Sequence, residues 1–284
     1  MNRKKIYLRQ AFVSLLASVF VFGGCRKDDD ELDSGDGVGR KITAKVENGN
    51  RYDFDEVKAV TYYGFSDNSA VLAETDYAGG GFTLQLPETV DDRYLSPMED
   101  YADILEKSLS ELVGFSLKFN AELSEEDVNG TVAAIEAHRS GDKEGDFFYM
   151  TLTENESVTR YTMTIAEGIF MYSDKSCKIT GSSSEDRLID GIEAWINTAA
   201  NASLRKGWNI LYLTETVEAS RVTQIITVTM TISSDEPAGM KWYFEDDIPE
   251  PELLSSAATF SPEIRKAVSN CTGFLRKTKT EDKL

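Results

Sequence analysis

"RVTQIITVTMTISSDEPAGMKWYFE", residues 221–245, sets the fold class. Two runs rich in β-branched and aromatic residues, RVTQIITVTMTIS and MKWYFE, read as strands. Between them DEPAG supplies turn chemistry: acids, a proline and a glycine. Back toward Phe115 the same grammar repeats. FSLKFNA, GTVAAIEAHR, DFFYMTLT, SVTRYTMTIA, GIFMYS, SCKITGS, GIEAWINTA and WNILYLTET read as strands, with SGDKEG, TENES and SSSED as turns. No long helical pattern separates them. That excludes alternating strand–helix units and favours sandwiches or rolls.

Closer to the N-terminus, Ile42, Ala44 and Val46 alternate with Lys41, Thr43 and Lys45, the pattern of a half-buried strand. NGN at 48–50 and the glycines at 79–81 mark turns. EVKAVTYYGF, SAVLAET and GFTLQL read as further strands, the last stopped by Pro87. Within 88–114, Tyr101, Ile104, Leu105, Leu109 and Leu112 recur at helical spacing, which predicts one short amphipathic helix. Ser261, followed by Pro262 and Glu263, predicts a second helix start, and RKTKTEDKL closes the chain as a polar tail. The expected architecture is all-β and mainly antiparallel. One or two β-sandwich modules occupy 41–96 and 115–248, with a connecting segment at 97–114 and a C-terminal tail at 249–284.

The first residues, MNRKKIYLRQ, are basic, and residues 11–22, AFVSLLASVFVF, are apolar apart from two serines. A charged start before a short apolar block predicts a secretory signal over 1–24; the block is well short of the ~20 residues a spanning helix needs. Gly23 and Gly24 then precede Cys25. VFGGC resembles the lipobox of bacterial lipoproteins, in which the cysteine becomes the first mature residue and carries lipid. Acyl chains add about 0.8 kcal/mol per buried methylene, so several chains on Cys25 would anchor the protein without a spanning helix. Behind it, CRKDDDE resembles the surface-export signal of lipoproteins from the Bacteroidota, with Lys27, Asp28 and Asp29 matching the pattern. ITAKVENG, EVKAV, GGFTLQLPETV and KGWNILYL are similar in order to segments of surface-exposed lipoproteins of the same bacteria. The resemblance implies a β-rich protein held at the outer membrane by lipid and displayed on the cell surface, with 25–40 as an acidic flexible tether. It transfers no catalytic residue.

Loss of 1–24, with its four cations, would leave 26 of the 30 basic residues against 49 acidic ones, a net charge near −23. Nucleic-acid binding through a basic patch is excluded on that balance. His138 is the only histidine, so a two-histidine zinc motif cannot be built, and no serine sits in a G-x-S-x-G elbow. His138 is read as structural. GDGVGRK lacks the spacing of a phosphate or dinucleotide loop, and no cofactor is implied. Asp142, Glu144 and Asp146 alternate as calcium ligands would, but without the full loop a hairpin turn is the stronger reading. An exported chain permits a Cys177–Cys271 disulfide; two buried thiols are the alternative. Trp195, Trp208 and Trp242, with the tyrosines, would suit a sugar-stacking platform if exposed together, and would otherwise fill the core. The expected function is a non-catalytic binding module for an extracellular glycan or protein. A fibre subunit, freed for strand exchange by proteolysis at Arg40, and a glycoside hydrolase using two of the many carboxylates are the alternatives.

Overall fold

A computed structural model describes residues 39–62, 70–99, 121–189 and 191–249, together with Phe260, Ile264 and Val268. The strands are β1 (Lys41–Lys45), β2 (Glu56–Tyr62), β3 (Ala70–Asp76), β4 (Gly81–Gln85), β5 (Ser96–Pro97), β6 (Glu122–Leu123) and β7 (Asn129–Arg139). They continue as β8 (Asp142–Glu156), β9 (Arg160–Ser173), β10 (Cys177–Ile189), β11 (Ile192–Leu204), β12 (Gly207–Ser220), β13 (Ile226–Ser233) and β14 (Lys241–Phe244). The chain is all-β, as its sequence predicts.

Among the described residues, β1 and β4 form a two-stranded ribbon and the other strands a 12-stranded sheet. The sheet runs β3-β2-β7-β8-β9-β12-β13-β11-β10-β6, with β14 beside β8 and β5 beside β7. Among the described strands all pairings are antiparallel except β11 with β13, and an isolated parallel bridge joins Val46 to Trp242. Because β2 pairs with β7, Val57 opposite Ala137, strands from 41–96 and from 115–248 share the large sheet. The ribbon shows the predicted alternation: Ile42 and Ala44 are buried and Lys41, Thr43 and Lys45 exposed. Its reversals use the expected glycines. Gly80 has φ 78°, and a Cβ there would lie 2.6 Å from Asn50 Oδ1.

The two faces of the sheet carry two cores. On one face Phe54, Phe82, Leu84, Phe147, Phe170, Trp242 and Phe244 pack under the ribbon. On the other, Met163, Ile165, Ile196, Leu213, Ile226 and Met230 pack with Phe260, Ile264 and Val268 from the C-terminal stretch. Each such large side chain contributes about 1.5–3 kcal/mol when fully buried. Ile264 and Val268 are helical, in the region where Ser261 to Glu263 predicts a helix.

Several turns fall elsewhere than expected. SSSED is not a reversal: β10 runs through it to Ile189, and Gly191, with φ 83°, takes the turn. Its serines and acids alternate between the two faces of a strand that needs little apolar surface on its outer side. β8 likewise runs through most of TENES, so the chain reverses at 157–159. SGDKEG contracts to Ser140 and Gly141, whose φ values are 53° and 88°. Met98 and Glu99 are helical; the rest of the helix expected at 97–114, and most of FSLKFNA, lie outside the described residues.

Candidate functional site

Past the ribbon, the outer face of the sheet is polar. Alternate residues of a strand share a face, and the registers of β8, β9, β12, β13, β11 and β10 align them in rows. One row reads Thr153, Thr164, Thr216, Thr229, Asn197, Ser184; the next reads Asn155, Thr162, Glu218, Thr227, Trp195, Asp186. The opposite parity of the same strands supplies Met163, Val217, Val228 and Ile196 to the inner core. Threonine fits both demands, since its branched Cβ suits a pleated strand and its hydroxyl suits water.

Neighbours within these rows hold one another. Thr164 and Thr216 hydroxyls lie 3.0 Å apart, and Ser184 Oγ donates to Asn197 Oδ1 at 2.8 Å. Arg160 Nη1 pairs with Glu218 Oε2 at 3.1 Å. Trp195 stands on β11 between Thr227 and Asp186 and is 46% exposed, which is unusual for so large an apolar ring. Leu188, near the end of β10, and Val158 and Val222, in the β8–β9 and β12–β13 turns, are also exposed.

The border of the polar face is fixed by the turn between β13 and β14. There Glu236 accepts hydrogen bonds from Tyr149 Oη at 2.6 Å and Tyr212 Oη at 2.9 Å. Burial, with Glu236 beside it, pushes the Tyr149 hydroxyl up to about 12. Gly168 lets the two rings close over β9: a Cβ there would sit 2.9 Å from Tyr149 Cδ1 and 3.5 Å from Tyr212 Cε1. Tyr149 also stacks on Trp242, ring centroids 5.2 Å apart.

The three tryptophans therefore divide. Trp242 is buried in the ribbon core, Trp208 donates its indole N–H to the Pro87 carbonyl at 2.8 Å, and Trp195 alone is exposed. His138 is buried, with Nε2 3.0 Å from Glu136 Oε2. Lys143 Nζ reaches Glu136 Oε1 at 2.9 Å and Asp146 Oδ1 at 2.8 Å. The Asp146 amide donates to Glu245 Oε2 at 3.1 Å. Burial raises Asp146 against the opposing pull of Lys143, and brings Glu245 to about 7. Asp142 and Glu144 lie exposed on β8, and among the described residues no three His, Cys, Asp or Glu side chains converge as a metal site. Cys177 is a buried free thiol; Cys271, Cys25, Lys27, Asp28 and Asp29 lie outside the described residues.

Two further acids point into the inner core, which the sequence reading missed. Glu167 and Glu215 are both buried there, and burial raises both, Glu215 to about 8. A signal was present: Glu215 occupies the parity of Leu211, Leu213, Val217 and Ala219. The threonine rows were missed as well, because each strand shows its alternation but not its register with the others.

No match to this chain is found among protein-family models, curated proteins or solved structures. Among the described residues no helix is long and apolar enough to cross a membrane.

Proposed function

We propose that this protein is a lipid-anchored surface lipoprotein whose outer β-face binds an extracellular glycan without performing chemistry on it. Cys25 carries the anchor, and Lys27, Asp28 and Asp29 direct display beyond the outer membrane. Residues 25–40 form a tether that reaches at most about 58 Å when extended. The observation that carries the binding reading is the exposed Trp195 within a row of polar side chains, between Thr227 and Asp186. An indole face stacks on the C–H face of a sugar ring, and neighbouring hydroxyls and amides both donate to and accept from sugar hydroxyls.

This division of labour suits binding rather than catalysis. Glu167 and Glu215 are enclosed in the core. His138, Glu136, Lys143 and Asp146 are engaged with one another at the β7–β8 hairpin. A glycan array probed with the wild-type chain and with Trp195→Ala tests the proposal. Binding that is lost in the variant is expected. Absence of any glycan ligand, with a protein co-purifying from the cell surface instead, would replace the glycan by a protein partner.

A further inference from the structure

The geometry points to an uncharged oligosaccharide, lying across the strands with one sugar ring on Trp195, as the ligand of this face. The inference rests on the glycan reading above and narrows it to a class, a length and a direction.

Direction and length follow from the register. The row that contains Trp195 crosses β11, β13, β12, β9 and β8 through Thr227, Glu218 and Thr162 to Asn155. Neighbouring strands lie about 4.8 Å apart, so four steps place Asn155 about 19 Å from Trp195. A single sugar on Trp195 cannot reach the far end; a chain of several sugars can. The adjoining row, Thr153 to Ser184, runs parallel to it and offers further hydroxyls and an amide, except at Thr216, which is buried. Along the strands, on the side of Tyr149 and Tyr212, the face is bounded by the turn between β13 and β14, whose Glu236 those two hydroxyls hold.

The class follows from the charges. Asp186 lies directly opposite Trp195, and Glu193 lies on the same face of β11; both are exposed. Glu218 is in the row itself, and the cation beside it, Arg160, is its ion-pair partner. The whole chain carries −19. A uronate or sialate stacked on Trp195 would bring its carboxylate against Asp186 in a field already negative. Threonine hydroxyls and asparagine amides have no charge to offer in exchange, whereas they match the hydroxyls of a neutral sugar.

Isothermal titration of the full chain in detergent tests this with two panels. One comprises neutral cello-, manno-, laminari- and malto-oligosaccharides from monosaccharide to hexasaccharide; the other comprises oligogalacturonates and hyaluronan oligomers. At least one neutral series should bind, with affinity rising tenfold or more from the single sugar to the tetrasaccharide. Trp195→Ala should lose tenfold or more, Trp195→Phe should retain most of the affinity, and Thr162→Val should weaken the tetrasaccharide severalfold. Circular dichroism would confirm that each variant is folded. Preference for the acidic panel would overturn the class while leaving the glycan reading intact. A monosaccharide binding as tightly as its tetrasaccharide would overturn the length and direction. Binding indifferent to Trp195→Ala would overturn the placement, and silence from both panels would overturn the glycan reading itself.

Discussion

Glu215 should make this protein less stable as pH rises, and Glu215→Gln should remove that part of the dependence. The residue sits mid-way along β12, opposite Ile165 on β9 and Met230 on β13, and is 2% exposed. Its Oε1 has no hydrogen-bond partner among the described residues, and burial lifts the group from 4.5 to about 8. In the unfolded chain the carboxyl loses its proton near 4.5, while in the folded chain it keeps it up to about 8. Between those values the unfolded state binds fewer protons, so stability falls as pH increases. The favourable contribution is complete below the lower value and exhausted above the upper one. At 1.36 kcal/mol per pH unit the loss is about 5 kcal/mol across the window, of the same order as the stability of many domains. Urea unfolding of wild type and Glu215→Gln at several pH values from about 5 to 9 would measure it. Asp146, Glu167 and Glu245 are raised too and steepen both curves in the same direction, but the difference between the curves isolates Glu215. The gap should shift by several kcal/mol in favour of glutamine as pH rises. Curves that stay parallel over the whole range would refute the burial argument.

Gly168→Ala should destabilise by about 1–3 kcal/mol, because the added methyl meets Tyr149, Ile210 and Tyr212 across a closed strand; an unchanged melting temperature would contradict that packing. Cys25→Ala should abolish incorporation of labelled lipid and release the protein from membranes, and retention of either property would remove the anchor from the proposal. Replacing Asp28, Asp29 and Asp30 with alanine should keep the anchor but lower protease access on intact cells, and equal access would count against the export signal.

Much of the fold was legible because a half-buried strand writes its burial into its sequence. Ile42 and Ala44 are buried, and the strand-like runs from Thr131 to Phe244 all carry strands. SSSED was misread because small polar residues serve equally as turn formers and as side chains of a strand with little to bury, and only the pairing of β10 with β11 decides. The joining of 41–96 to 115–248 through β2 and β7 was not legible, since the pairing links residues far apart in sequence. The candidate site was only half visible. Trp195 could be picked out as an aromatic, but nothing local distinguishes it from Trp242, which fills the ribbon core. Its row neighbours come from five other strands, and Thr164 meets Thr216 across 52 positions. Register, which sets that row, depends on turns and on both cores at once.

The claim that the outer face is the binding surface is tested most directly by threonine-methyl NMR of the full chain titrated with whichever glycan the array retains. Shifts should concentrate on Thr153, Thr162, Thr164, Thr227 and Thr229, with the Trp195 indole signal moving alongside them. Shifts confined to threonines away from these rows, such as Thr43 and Thr83 in the β1–β4 ribbon, with Trp195 unmoved, would contradict it.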